Sequence, residues 1–194
     1  MISHKHKFIF IFQHKCAGTT LKSVLEKHDA WNLEFHLGVK SYEYNDYDLE
    51  KYKDYFIFAV KRNPYDRVVS GWKYLQNDLP SNVKRTLKRG LSFKDTLLNL
   101  PQKGHDYHHI TQLQTENLIN QDGKLICNML LRFENLQKDF DIVCKKIGLP
   151  SQKLPHLQKS EHKHYTEYYD DEARQIVAEK YAKDIEYFGY KFGE

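Results

Sequence analysis

The chain contains short apolar runs that end in polar loops, and a segment with helical spacing of its apolar residues follows each run. Residues 8–12 and 55–60 lack the polar alternation of a half-exposed strand, so they predict strands buried on both faces. Residues 124–133 predict a third strand. Strands that alternate with helices favour an α/β fold with a mainly parallel sheet.

Apolar spacing and capping residues predict the helices. After the second strand, Asn63 is a suitable N-cap and Pro64 suits the first helical position, with Asp66 in the first turn. The predicted buried face of this helix consists of Val68, Val69, Trp72 and Leu75. The helix after the first strand presents Leu21, Val24 and Leu25 on one face.

Two further helices are predicted in the second half of the chain. The helix after the third strand has Leu136, Phe140, Val143 and Ile147 on its apolar face and ends at Gly148 and Pro150. The last helix is predicted over about residues 171–187, with Ile176, Val177, Tyr181 and Ile185 facing inward. No repeat or linker is visible, so residues 1–194 are interpreted as a single domain.

Composition narrows the class of protein. An apolar fraction of 40% and a charged fraction of 29% are typical of a globular protein and not of a disordered one. The formal net charge of +4 is too small to indicate a nucleic-acid partner. The 3 cysteines are odd in number and form no CxxC pair, which favours free thiols in a reducing compartment.

The apolar run at residues 8–12 is too short to span a membrane and lacks the cleavage site of a signal peptide. We therefore expect a cytoplasmic protein without a membrane span.

The loop after the first strand, residues 14–20, reads HKCAGTT. In open α/β sheets, ligands bind outside the carboxyl ends of strands and at the N-termini of the following helices. Lys15 adds a positive charge, and Gly18 would let the backbone approach a ligand closely. Thr19 and Thr20 add hydroxyl donors, and the amides of residues 17–20 with the helix dipole favour an anion.

This pattern predicts a phosphate-binding loop, although it is not a Walker A sequence. The first glycine of G-x-x-x-x-G-K-[ST] is missing, and the lysine precedes the glycine. An ordinary strand–helix turn with a solvated lysine is the alternative interpretation.

A second anion-binding pattern, KRNPYDRVVSGW at residues 61–72, also follows a predicted buried strand. Arg62 stands at the strand tip, where it could bind a phosphate through two nitrogens, and Ser70 follows about two helical turns later. Two anion sites on neighbouring strand ends suit a ligand with phosphates at both ends.

Both patterns resemble motifs of the sulfotransferases that use 3′-phosphoadenosine 5′-phosphosulfate (PAPS). HKCAGTT is similar to their 5′-phosphosulfate loop, usually P-K-T-A-G-T-S, and KRNPYDRVVSGW is similar to their 3′-phosphate motif, V-R-N-P-Y-[DE]-R-L-V-S-x-[YW]. The order and separation resemble those of the carbohydrate branch, which includes heparan, chondroitin and bacterial enzymes. Here His14, Cys16 and Thr20 replace the usual proline, threonine and serine.

Three later stretches also resemble that family. They are HHITQ at residues 108–112, the strand–helix stretch at residues 131–149 and the C-terminal stretch at residues 168–192. The resemblance therefore covers nearly the whole chain. It implies a P-loop NTPase-like fold, in which a central, mainly parallel sheet is flanked by helices.

The resemblance further implies transfer of a sulfuryl group from PAPS to an acceptor hydroxyl, expected on a carbohydrate, without a metal. The residues implied in donor binding are Lys15, Cys16, Ala17, Gly18, Thr19, Thr20, Arg62, Ser70 and Lys163. Lys15 would stabilise the leaving phosphate. His36 lies where relatives carry an active-site histidine and is the first candidate for the base, ahead of His109, which Gln112 would assist in acceptor binding.

Two rival functions share some of these features. A P-loop kinase for a small molecule would have the same fold and lysine, but it calls for Walker A order and an aspartate that holds Mg²⁺. A catalytically silent nucleotide- or glycan-binding module would bind the nucleotide without turnover. A cluster of His105, His108 and His109 could also suggest a metal, but it lacks a fixed set of partner ligands.

Overall fold

The computed structural model describes residues 1–29, 49–78, 90–100, 108–155 and 163–194. The chain divides into two compact units, each built from two separate stretches of sequence. The first unit comprises Met1–Lys61 and Gln114–Gln158, and the second comprises Arg62–Leu113 and Lys159–Glu194. His36, the first candidate for the base, lies outside the described residues.

The first unit contains a sheet of four strands in the order β1-β2-β3-β4. The strands are β1 (Ile2–Ser3), β2 (Phe8–Ile11), β3 (Phe56–Lys61) and β4 (Met129–Arg132). The β1 strand pairs antiparallel with β2, whereas β2 with β3 and β3 with β4 pair in parallel. The prediction of an α/β fold with a mainly parallel sheet is confirmed.

The described helices flank or follow these strands. In chain order the α-helices are α1 (Gly18–Leu25), α2 (Pro64–Lys73), α3 (Phe93–Leu98), α4 (His108–Thr111), α5 (Gln114–Leu118), α6 (Leu136–Lys146), α7 (Asp171–Lys180) and α8 (Ala182–Phe188). Short 3-10 helices cover Glu26–His28, Leu49–Tyr52, Phe133–Asn135 and Tyr165–Tyr168. A π-helical turn at Tyr74–Asp78 extends α2.

One face of the parallel sheet forms the core of the first unit. Its buried strand side chains pack with those of α1 and α6, and they are Phe8, Phe10, Phe58, Val60 and Leu131. Phe10 stacks on Phe58 with ring centroids 5.2 Å apart. All residues of β2 and the interior of β3 are buried, which explains why these strands read as continuous apolar runs.

The third predicted strand is shorter than expected. Only Met129–Arg132 joins the sheet, because the earlier part of the run at residues 124–133 pairs with the segment just before it. Leu125 forms an antiparallel bridge with Ile119, and Gly123 adopts a φ of 76° in the turn between them. An apolar run predicts extended structure, but its pairing partner depends on this local hairpin.

The start of α2 follows the sequence prediction. The Asn63 side chain accepts a hydrogen bond from the Tyr65 amide at 3.1 Å, and Pro64 occupies the first helical position. Asn63 Nδ2 also donates to the carbonyl of Lys191 at 2.9 Å, which ties the end of the chain to this helix. The predicted buried face is confirmed for Val68, Val69 and Leu75, and Trp72 is partly buried.

The predicted last helix is two helices in the structure. It begins at Asp171 as expected, but α7 and α8 are separated at Tyr181, where φ is −112° and ψ is 19°. The Tyr181 hydroxyl donates to the carbonyl of Ile110 at 2.5 Å in the buried interior of the second unit. No glycine or proline marks this break, so the sequence pattern does not predict it.

Candidate functional site

The loop between β2 and α1 has an unusual backbone. Lys15 has a φ of 63° and Ala17 a φ of 56°, so both are left-handed although neither is glycine. Such residues are costly and tend to occur where a loop binds a ligand. Alternating left-handed conformations of this kind turn backbone amides toward one concave side, as in anion-binding nests. The backbone therefore supports the predicted phosphate-binding loop.

The N-terminus of α1 is suited to an anion. Its N-cap is Ala17, which has no side-chain acceptor, and no acidic residue lies in its first turn. The amides of Gly18, Thr19 and Thr20 have no acceptor within the helix, because the first turn of any α-helix lacks one. The positive end of the helix dipole lies at the same place.

Gly18 has a packing role that the sequence did not reveal. The sequence pattern predicts close approach of a ligand at this glycine, yet Gly18 is buried, and a Cβ at this position would lie 2.1 Å from Cε2 of Phe12. The Phe12 ring therefore covers the start of α1 and leaves room only for glycine.

Cys16 is fully buried between the two left-handed residues. Its Sγ donates to Oε1 of Gln114 at 3.4 Å and lies 3.5 Å from the carbonyl oxygen of His14. This burial argues against a role of Cys16 as a nucleophile.

Buried side-chain amides, which the sequence patterns did not indicate, lie against the residues of this loop. Gln13 and Gln114 are buried, and Asn117 donates from Nδ2 to Oε1 of Gln13 at 3.4 Å. Gln114 and Asn117 both lie on α5, and their signal in the sequence is the mainly polar run TQLQTEN at residues 111–117.

The second anion motif follows directly after β3. Because β2 and β3 are adjacent parallel strands, the two predicted anion motifs follow the carboxyl ends of neighbouring strands. Arg62 is 6% exposed, and its Nε donates to Oδ2 of Asp66 at 2.8 Å. Ser70 lies two turns along α2 and is partly buried.

A further cationic pair stands at this edge of the sheet. Lys61 and Arg132 are register partners at the ends of β3 and β4. Partial burial and then the neighbouring Arg132 lower the pKa of Lys61, and Glu134 opposes this effect. Glu134 also lies close to the second cation, with its Oε2 3.8 Å from Nε of Arg132.

The remaining predicted residues lie in the second unit. His109 is partly buried on α4, where its ring centroid is 4.6 Å from that of Tyr74. The side chain of Lys163 is 73% exposed and lies 3.4 Å from Oε2 of Glu167. Lys163 is thus a surface residue paired with the 3-10 helix that follows it, Tyr165–Tyr168.

A buried charged group that the sequence analysis overlooked holds the segment that contains Gln112. Arg67 is 1% exposed, and its Nη2 donates to the carbonyl of Gln112 at 2.5 Å. The same nitrogen lies 4.0 Å from Oδ2 of Asp184, which is fully buried. The second arginine of RNPYDR therefore supports the backbone of the predicted acceptor segment.

Among the residues with defined positions, no three His, Cys, Asp or Glu side chains form a group that could hold a metal ion. In the same part of the chain, no helix has the length and apolar character needed to cross a bilayer.

The chain matches a known protein family over most of its length. A family model described as "Sulfotransferase family" matches residues 1–191, which include the first compact unit and all but the last three residues of the second. No curated protein and no solved structure matches the chain significantly.

Proposed function

Because the chain belongs to the sulfotransferase family, we propose that it transfers a sulfuryl group from PAPS to a hydroxyl of an acceptor, expected to be a carbohydrate. The observation that carries the choice of donor is the pair of anion-binding motifs that follow two adjacent parallel strands. A donor with phosphates at both the 3′ and the 5′ position needs two such motifs.

The loop residues are proposed to bind the 5′-phosphosulfate. The amides of residues 17–20 and the hydroxyls of Thr19 and Thr20 supply donors at the uncapped start of α1. Cys16 contributes backbone and a buried anchor, because its side chain faces the protein interior. Gly18 takes part through its amide.

Arg62 and Ser70 are proposed to bind the 3′-phosphate. A guanidinium recognises phosphate oxygens through paired hydrogen bonds, and Asp66 holds that of Arg62 through Nε. Lys163 is proposed to contact the donor from its exposed position, where its pairing with Glu167 would have to exchange for a phosphate.

Lys15 is proposed as the catalytic cation. Sulfuryl transfer resembles phosphoryl transfer, in which positioning and electrostatic stabilisation provide most of the rate enhancement. PAPS supplies the sulfuryl group, and the bond from sulfur to the 5′-phosphate oxygen breaks as the acceptor oxygen bonds to sulfur. Lys15 stabilises the negative charge that grows on the departing phosphate, and this role requires no metal.

A histidine is proposed to take the proton from the acceptor hydroxyl. His36 is the first candidate, because of its place in the family resemblance, and His109 is the second. His109 and Gln112 belong to one short segment, and this favours a shared role in orienting the acceptor if His36 is the base.

The cellular setting follows from the cysteines. Cys16, Cys127 and Cys144 form no disulfide in the structure, and on this ground we propose that the protein works in the reducing cytoplasm. We expect no nucleic-acid partner, because the net charge is small.

Thermal shift with two nucleotides tests the choice of donor. PAP, the product that keeps both phosphates, should raise the melting temperature through ligand linkage, whereas AMP should do so much less. Equal shifts would remove Arg62 and Ser70 from the proposed role.

A screen of glycan acceptors with labelled PAPS tests the reaction itself. Turnover with ATP and Mg²⁺ in place of PAPS would indicate a kinase. PAP binding without turnover on any acceptor would indicate a binding module.

A further inference from the structure

The strained loop has an anchor beneath it. Lys15 and Ala17 are both left-handed, so the intervening residue must be held firmly for the loop to keep this backbone. That residue, Cys16, is 0% exposed and points into the first unit.

The anchor consists of side-chain amides from α5 and from the end of β2. Oε1 of Gln114 accepts a hydrogen bond from Sγ of Cys16 at 3.4 Å, and Gln114 itself is 0% exposed. The Cys16 amide donates to the carbonyl of Gln13 at 3.3 Å, and the Gln13 side chain accepts from Asn117 at 3.4 Å. Positions 114 and 117 are three residues apart, so both amides face the loop from one side of α5.

We infer that Gln114 is a positioning residue for the donor site, because it fixes the buried thiol of Cys16 and thereby the direction of the loop amides. Gln13 and Asn117 brace the same loop through its backbone. This role rests on the proposed function, in which the loop binds the 5′ end of PAPS.

This contact predicts which side chains can replace Cys16 without loss of donor binding. Oε1 of Gln114 lies against position 16 in a buried place, where a matched donor and acceptor are favoured, so we expect a hydrogen-bond donor at position 16 to stabilise the loop. Cysteine and threonine both carry one, whereas valine has the shape of threonine without the donor. The matched pair Cys16→Thr and Cys16→Val therefore separates hydrogen bonding from packing.

Donor affinity is the first measurement. In calorimetry, Cys16→Val should weaken PAP binding by about 10-fold, which corresponds to the loss of one buried hydrogen bond, whereas Cys16→Thr should stay within about 3-fold of the unmodified protein. Gln114→Leu should weaken binding to a similar degree. In the Gln114→Leu background, threonine should have no advantage over valine at position 16.

Hydrogen exchange in the ligand-free protein is the second measurement, and it does not depend on the identity of the donor. The loop amides of Cys16 and Leu21 are bonded to the carbonyls of Gln13 and Ala17 at 3.3 and 3.1 Å. Their exchange should accelerate in Cys16→Val and in Gln114→Leu but not in Cys16→Thr.

Gln137→Leu is the matched control. Gln137 lies in the same unit and accepts from the amide of Leu154 at 2.8 Å, so it holds a different segment. This variant should lower thermal stability without changing PAP affinity or exchange in the loop.

Equal behaviour of Cys16→Val and Cys16→Thr in exchange and in PAP binding would overturn the inference. If the unmodified protein does not bind PAP, the proposed donor is wrong, and the exchange rates still decide whether Gln114 positions the loop. Cys16→Val keeps the test available if Gln114→Leu does not fold.

Discussion

Nε of Arg62 donates to Oδ2 of Asp66 at 2.8 Å, and the two side chains are only 7% and 16% exposed. The residue that follows β3 is therefore held by the first turn of α2. Because the guanidinium is rigid and planar, fixing Nε also fixes the direction of its other nitrogens. The Arg62–Asp66 pair therefore predicts that the Asp66 carboxylate supports the binding of a phosphate by Arg62.

Asp66→Ala should weaken PAP binding by about 5- to 10-fold, because Arg62 would lose the partner that orients it. AMP, which lacks the 3′-phosphate, should bind equally well to both proteins. Calorimetry with the two nucleotides checks this expectation.

Asp139→Ala is the control for a general loss of stability. Asp139 also lies in the first turn of a helix, where it accepts from the Arg132 amide at 2.7 Å. Its removal should lower the melting temperature and leave PAP affinity unchanged. Tighter PAP binding by Asp66→Ala would mean that the carboxylate repels the ligand and does not position Arg62.

Arg62→Ala should weaken PAP binding by about 2 kcal/mol or more, since a buried charge-assisted contact with phosphate would be lost. The measurement is calorimetry on a variant whose circular dichroism shows that it is folded. Unchanged affinity in such a variant would remove Arg62 from the donor site.

Gly18→Ala should destabilise the protein by about 1–3 kcal/mol, because its Cβ would overlap the Phe12 ring. Chemical denaturation measures the loss of stability, and adding Phe12→Leu should recover part of it.

Ala17→Gly, at the neighbouring position, should stabilise the protein in the same measurement. Relief of a left-handed alanine, worth about 1–2 kcal/mol, exceeds the entropic cost of glycine.

Substitutions of Lys15 and of the candidate catalytic histidine, His36, should change the kinetics in different ways. Lys15→Ala should lower kcat by about 10²–10³-fold, because it removes charge stabilisation that grows in the transition state. His36→Ala should leave PAP binding nearly intact and reduce turnover by about 10²–10⁴-fold. The acidic limb of the pH–rate profile should disappear with the histidine that acts as the base.

His109→Ala completes this set. If it abolishes turnover while His36→Ala retains it, the base is His109. If neither substitution matters, a carboxylate takes the proton.

Cys127 should make stability depend on pH in the alkaline range. Burial raises the pKa of its thiol from 9.0 to about 12. Between these pH values the Cys127 thiol has lost its proton in the unfolded chain and has kept it in the folded chain. The free energy that the thiol contributes to stability is therefore fully present below pH 9 and falls as pH rises toward 12. The slope for one proton is at most about 1.4 kcal/mol per pH unit.

Urea unfolding of the unmodified protein and of Cys127→Ala, at pH 8 and at pH 10.5, checks this prediction. The difference in unfolding free energy between the two proteins should shrink at the higher pH. A constant difference would contradict the assignment, since buried tyrosines such as Tyr181 contribute equally to both proteins.

Much of the fold and of the candidate site could be predicted from the sequence. The apolar runs identified β2 and β3 to within a residue at each end, because strands buried on both faces show no polar alternation. The start of α2 was predictable because the Asn63 cap and Pro64 act on the backbone beside them. The candidate anion loop could be proposed because its lysine, glycine and hydroxyl residues are contiguous in sequence.

The tertiary structure decided the features that depend on distant partners. Cys16 is anchored by Gln114, 98 residues away, and the last helix breaks where Tyr181 bonds to the carbonyl of Ile110, 71 residues away. A local pattern records the backbone preferences of a few residues, whereas a buried side chain is held by whichever group the fold brings within about 3–4 Å. The position of the candidate anion loop was thus predictable from the sequence, whereas its contacts with α5 are visible only in the tertiary structure.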